Sequence, residues 1–377
     1  MPGDEKRDLL KGGFRVKVGK DIGRRKSRPE PFRAAVKGKA GGPFSGLSVK
    51  HSGLEEKMNH AEKRMSRTGV VFGCALICCF LWGSAAPSIK IGYRLFHIES
   101  ADSMAQIVFA GMRFMLAGVM VILAGSLLNR KENGGGLLKP KKESLPMILK
   151  LAMVQTVAQY VFYYVGLAHT TGVKAAIIGG SNVFLSIFIA VAVFHMERLT
   201  FRKLLGCVVG FAGVVIINVS GSGIDMSVSL LGEGFILLSS LSYALSSGLI
   251  KKYSAKEDPV VLSGYQFLCG GIVLTAVGLL GGGRVNLTGV SAGGWVLLLY
   301  MGFISAAAYT LWGILLKYNP VGKVAVFGFM NPMFSFLLSA LLLGEGSQAF
   351  GWTGLSALAL VCAGILIVNL TTKKQPA

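Results

Sequence analysis

From Gly69 onward the chain carries ten apolar stretches, at 69–93, 103–128, 146–168, 174–195, 203–219, 229–250, 259–281, 294–316, 322–343 and 350–370. About 20 apolar residues is the length that crosses a bilayer core. Every backbone polar group in hydrocarbon needs an internal partner, so each stretch is expected to be a helix. The sequence therefore predicts an all-α integral membrane protein with ten transmembrane helices. Short loops make successive spans antiparallel neighbours. The net charge of +21 suggests a nucleic-acid-binding protein, but 52% apolar against 15% charged residues excludes a soluble one, and no nucleic-acid partner is expected. Fifty-one glycines without a Gly-X-Y period exclude collagen and suit close helix packing in lipid.

Residues 1–68 hold 18 Lys/Arg and 8 Asp/Glu and no apolar run, which predicts a disordered basic cytoplasmic tail lying near anionic lipid. An equal alternative is that the working chain starts at Met58 or Met65. No secretory signal is read near Met1. With the tail inside, the inner loops and termini carry fifteen Lys/Arg after residue 68, among them Arg198, Lys203, Lys251, Lys317 and Lys323. The outer loops carry three: Arg94, Lys174 and Arg284. The positive-inside rule then places both termini in the cytoplasm and the chain in the cell membrane as a multi-pass protein.

The two halves, 69–219 and 229–370, match at a spacing of roughly 150 residues, with 371–377 left as a short C-terminal tail. Gly172-Val173-Lys174-Ala175 answers to Gly322-Lys323-Val324-Ala325, and Glu197 to Glu345. Trp82 and Lys90 pair with Tyr243 and Lys251, Arg113-Phe114 with Gln266-Phe267, and Tyr160 and Tyr163 with Tyr309 and Trp312. Each half has five spans, an odd number, so the halves run in opposite directions. Inverted repeats are the signature of secondary transporters, whose site lies near the midplane between the halves.

Phe80-Leu81-Trp82-Gly83-Ser84, Arg113-Phe114, Asn331-Pro332 through Gly344-Glu345, and the paired Ala-Gly…Asn endings at Asn218 and Asn369 are similar to the drug/metabolite transporter superfamily, EamA-type family. The resemblance covers residues 69–370. It implies a five-plus-five inverted-repeat transporter with a central cavity. It also implies a proline in spans four and nine, about thirteen residues before the Glu. Pro332 keeps that place, whereas the first half has Ser181-Asn182-Val183-Phe184.

Ionisable groups within membrane spans are costly and mark function by default. Arg113 lies ten residues into a 26-residue span. It either pairs with an anionic substrate group or ties helices through carbonyls and Gln side chains. Gln155, Gln159 and Tyr163 recur at i, i+4 and i+8, one helical face. Tyr309 and Trp312 in span eight, Asn331 in span nine, Tyr243 in span six, Asn182 in span four and Trp82 in span one complete the candidate substrate-binding set. Interhelical hydrogen bonding is the alternative for each. Aromatics beside amides suit amphipathic organic solutes better than bare ions. Pro87 and Gly248 are matched helix interruptions. The stripe Gly111, Gly118, Gly125 and the pair Gly206, Gly210 suit packing within one chain, with a homodimer face as the second reading.

The expected activity is secondary transport of small organic solutes, amino-acid-like or otherwise amphipathic, with efflux as one open direction and the sequence not naming which. Membrane-embedded enzyme and channel are the competing classes. Only five His are present, and no midplane carboxylate pair, charged ring or GxxxxGK[ST] loop is found, so neither enzyme nor pump is expected. The six cysteines fall in apolar segments without a CxxC pair, so no metal and no cofactor are expected.

Overall fold

The computed structural model describes residues 62–99, 101–128, 136–170, 175, 178–219, 229–343 and 352–371. The basic tail up to residue 61, the Gly172-Val173-Lys174 stretch, Gly344-Glu345 and residues 372–377 lie outside them. All regular structure among the described residues is helical.

Ten helical segments stand where ten spans are expected. They are α1 (Thr68–Leu95), α2 (Ser103–Leu128), α3 (Lys142–Ala168), α4 (Ile178–Ala192), α5 (Phe201–Val219), α6 (residues 230–253), α7 (Pro259–Leu280), α8 (Ala292–Tyr318), α9 (residues 321–343) and α10 (Trp352–Thr371). Six of them, α1, α2, α3, α6, α7 and α8, are long and apolar enough to cross a membrane unaided. Caps end several helices cleanly. Asp258 accepts from the Val260 N–H at 2.8 Å ahead of Pro259, and Ser291 accepts from the Gly294 N–H. Each satisfies a first-turn donor that the helix cannot.

The neighbour relations follow a two-fold pattern. Helix α2 lies along α7, and α5 along α10. Helix α1 packs on α8 and α9, and α6 packs on α3 and α4 in the matching way. Exchanging the two halves leaves this list unchanged, as a pair of five-helix repeats requires.

Small residues make the closest crossings. A Cβ on Gly118 would stand 2.5 Å from the Leu268 N and 2.7 Å from the Gly264 O, and one on Gly271 2.8 Å from the Gly111 O. The span-two glycine stripe is thus spent on α7 within the same chain. Gly206 faces Val368 and Gly364, and Gly210 the Phe329 ring, so the second small-residue pair is also used internally.

Helix α9 is broken. It is α-helical from Val321 to Ala325, tightens to 3-10 over Val326–Phe329, and resumes at Met330. Pro332 falls in the first turn of the resumed helix, where its missing N–H costs nothing. Helix α4 turns at Ser181 before Asn182–Ala192 without any proline. Gly179 and Gly180, poor helix formers, precede that turn. By contrast α1 runs unbroken through Pro87.

Candidate functional site

Aromatic side chains from both halves converge where α1, α2, α3, α7 and α8 meet. Trp82 on α1 lies 5.0 Å from the Tyr309 ring and 5.0 Å from the Trp312 ring, edge to face in both cases. Tyr309 meets Phe267 at 5.3 Å, Phe267 stacks on Phe114 at 5.4 Å, and Phe114 meets Tyr160 at 4.6 Å. The loop closes where the Tyr160 and Tyr309 hydroxyls share a hydrogen bond of 2.9 Å. Two of these contacts join positions that the repeat makes equivalent: Phe114 with Phe267, and Tyr160 with Tyr309. The pseudo-two-fold axis therefore passes through the cluster.

Arg113 sits inside it, 4% exposed. Its guanidinium carbon stands 4.6 Å from the centre of the Phe114 ring and 5.5 Å from that of Tyr160. Such cation–π placement offsets part of the burial cost. No hydrogen bond or ion pair to the guanidinium is found among the described residues, and its Nε is buried without a partner.

Of the two amides on the α3 face, Gln155 is engaged with α7. Helix α3 opens into a π-helical stretch over Ala152–Ala158, and this wide turn carries Gln155 and Thr156 toward α7. There the Gln266 Nε2 donates to the Gln155 Oε1 at 2.7 Å, and the Thr156 hydroxyl donates to the Gln266 Oε1 at 3.2 Å. Local π geometry is frequent at functional sites. Gln159 lies one turn on, with its Oε1 buried and unpartnered, and the Trp82 Nε1 is in the same condition. Tyr163 stands further along α3, its ring edge on Tyr164 at 5.6 Å and 37% of its surface accessible.

Tyr243 on α6 packs half-buried against the same aromatic cluster. Asn182 and Asn331 are half-buried beside the breaks in α4 and α9 and form no side-chain hydrogen bond among the described residues. Of the ten candidates, Trp82, Arg113, Tyr309, Trp312 and Tyr243 come together around the axis. Gln155 is tied to Gln266, Gln159 and Tyr163 follow it along α3, and the two asparagines stay with their helix breaks. Tyr160, Phe114, Phe267 and Gln266 also belong to the centre, although none was among the ten candidates.

One end of the bundle is densely tied. The Lys251 ammonium donates to the backbone carbonyls of Leu316 at 2.9 Å and Asn319 at 2.6 Å. The Lys323 Nζ donates to the Ser66 O at 2.9 Å and the Asn319 Oδ1 at 3.1 Å. Glu197 accepts from the Gly322 N–H at 2.9 Å and from the Lys203 Nζ at 2.6 Å, so it joins the α4–α5 loop to the start of α9. Glu257 joins the α6–α7 loop to the start of α3, accepting from the Ser144 hydroxyl at 2.6 Å and the Lys141 N–H at 3.2 Å. All four are residues of the lysine-rich loops or of the span ends beside them. No group of three or more His, Cys, Asp or Glu suited to a metal ion occurs among the described residues.

Two five-helix repeats meeting around a buried polar and aromatic centre define a multi-pass membrane transport protein. The EamA-like transporter family profile matches residues 69–219 and again 230–370, and the chain belongs to that family, within the drug/metabolite transporter superfamily. It is 26% identical over 278 residues to the uncharacterized transporter YvbV of Bacillus subtilis, covering 72% of this chain and 85% of that one. It is 27% identical over 297 residues to an uncharacterized transporter of Archaeoglobus fulgidus, covering 78% and 94%. A chloroplastic WAT1-related protein of Arabidopsis thaliana is 23% identical over 300 residues, with 77% of this chain and 67% of that one covered. A solved crystal structure shares the fold with a TM-score of 0.65 at 17% identity, covering 82% of this chain and 99% of its own.

Proposed function

We propose that this protein is a secondary transporter of small amphipathic organic solutes, amino-acid-like or related, working by alternating access in the direction of efflux. The observation that carries this reading is the convergence of Trp82, Arg113 and Tyr160 from one repeat with Phe267, Tyr309 and Trp312 from the other on a single buried cluster. A site on the axis between repeats is open to one face or the other as the repeats rock.

The unequal ends of the bundle support a cycle with distinct states. Lys251 secures the end of α8. Its repeat equivalent, Lys90 near the end of α1, is exposed and hydrogen-bonded to nothing among the described residues. A carrier resting with one side closed has this asymmetry. The closed side is assigned to the cytoplasm, because its ties are made by the lysine-rich loops. The same bias supports a cell-membrane location with both termini cytoplasmic, five helices per repeat over 69–219 and 229–370, and flanking tails at 1–68 and 371–377.

The purified full-length chain in proteoliposomes, loaded with a mixed metabolite pool, tests the proposal. Counterflow of at least one small solute is expected, and its loss when Trp312 is replaced by Ala. A protein that moves none of a broad library, or whose Trp312→Ala variant moves solute unchanged, refutes it. For orientation, reporter fusions at Ala377 and in the 282–293 loop should read cytoplasmic and external respectively.

A further inference from the structure

We infer that the solute is a monoanionic organic acid, a carboxylate on an aromatic or other apolar body, held by Arg113. This rests on the transport site proposed above and narrows what it takes.

The two repeats differ at the position of this cation. Arg113 and Gln266 are equivalent positions on α2 and α7, each followed by one of the stacked phenylalanines. Gln266 is engaged at both ends of its amide: the nitrogen donates to Gln155, and the oxygen accepts from Thr156. The same relation carried to the other repeat, 149 residues on, puts Ile304 and Ser305 opposite Arg113. Where the first half supplies an amide, the second supplies an isoleucine. The position with the cation has therefore lost the side chain that answers its twin.

Among the described residues no ion pair or hydrogen bond neutralises that cation. The carboxylates that make hydrogen bonds among the described residues, such as Glu197, Glu257, Asp102 and Asp258, sit at helix ends or in loops. The Phe114 and Tyr160 rings lie within cation–π range of the guanidinium, and neither brings a negative charge. A guanidinium keeps its donors in a planar fork along its edge, matched by a planar carboxylate taken in two parallel hydrogen bonds. An unpaired charge at this depth is costly, so an oxyanion arriving with the solute has a large differential benefit over its neutral analogue. One guanidinium answers one negative charge, which selects a carboxylate over a phosphate dianion. The Trp82 and Trp312 rings, which join the same aromatic cluster through Tyr309, supply the face for an apolar body.

The test uses benzoate, phenylacetate and 2-naphthoate, each beside its primary amide, which has the same shape and no charge. Binding is read as thermal stabilisation of the purified full-length protein and of Arg113→Gln and Arg113→Lys. Acids are expected to bind the wild type about tenfold or more tighter than their amides, Arg113→Gln to bring that ratio near one, and Arg113→Lys to weaken the acids by about tenfold through loss of the fork. Amides binding as well as acids, a preference for acids that survives in Arg113→Gln, or no stabilisation by any of the three acids each overturns the inference. If Arg113→Gln does not fold, unchanged acid affinity in Arg113→Lys overturns it. Acids that bind but never cross a proteoliposome membrane refute the transport reading and leave the anion site standing. A neutral solute carried by a protein that binds no acid does the reverse.

Discussion

The hydroxyls of Tyr160 and Tyr309 meet at 2.9 Å, and each belongs to a different repeat. The bond joins equivalent positions across the pseudo-axis, so it reports directly on how the halves are held together. Hydrogen bonds between membrane helices are modest, about 0.6 kcal/mol on average. Tyr160→Phe and Tyr309→Phe should each lower stability by about 0.5–1.5 kcal/mol, because each leaves a hydroxyl without its partner. The double variant should cost less than the two together. Unfolding of the four proteins in one detergent measures the coupling, and strict additivity would show that the hydroxyls do not interact.

Gly118 allows α2 and α7 to touch backbone to backbone. A side chain at that place meets the Leu268 N at 2.5 Å, a partner that cannot swing away. Gly118→Val should therefore destabilise the protein by about 1–3 kcal/mol through overpacking. Thermal unfolding checks this, with Gly69→Val as the control, since nothing lies within 4 Å of a Cβ there.

Lys251 is expected to hold the tied end of the bundle, proposed above to face the cytoplasm, shut through the Leu316 and Asn319 carbonyls. Lys251→Met keeps the apolar stem and removes the donors. Cys78 on α1, fully buried with its thiol donating to the Ala308 carbonyl, offers the readout. In a background where the other five cysteines are Ser, Lys251→Met should increase labelling of Cys78 by a membrane-impermeant thiol reagent added from the cytoplasmic side. Equal labelling would mean that Lys251 holds nothing shut.

Glu257 sets the expected response to acid. Burial works to raise its carboxyl pKa, but the Ser144 hydroxyl and the Asp258 and Lys141 N–H groups bond to the ionised form and hold it below the usual range. A group lowered on folding contributes stability above its unfolded pKa, near 4.3, and loses it as the pH falls through the lower folded value. The wild type should lose melting temperature more steeply than Glu257→Gln as the pH is taken from 5 toward 3, with the two curves parallel above pH 6. Parallel curves throughout would remove Glu257 from the acid response.

Hydropathy alone placed the helices, because a bilayer leaves the backbone no alternative. The expected 103–128 is α2 to the residue, the ends at 168, 219, 259 and 343 also coincide, and the remaining described ends shift by a few positions. The repeat spacing was equally legible. The break in α4 was not, because it comes without the proline that marks the break in α9. The π-helical turn in α3 was also hidden, since 152–158 reads as an ordinary apolar helix. Gln155 therefore looked free to face Arg113 and is instead bonded to Gln266. Tyr160 and Phe267 were visible only as members of matched pairs, and Phe114 also through the Arg113-Phe114 motif. Their place around the axis follows from helix crossing, which a linear pattern does not contain.

The pairing of α2 with α7 and of α5 with α10 has a consequence for synthesis. At roughly 5–20 residues per second, α7 leaves the ribosome roughly ten to thirty seconds after α2. During that interval Arg113 and the bare glycine face of α2 are already in the bilayer, and the helix they are shaped for has not been made. The first half can be inserted early, but it reaches its packed state only when the second half is delivered. A protease or chaperone that surveys nascent membrane proteins would meet this chain with its most polar buried side chain uncovered.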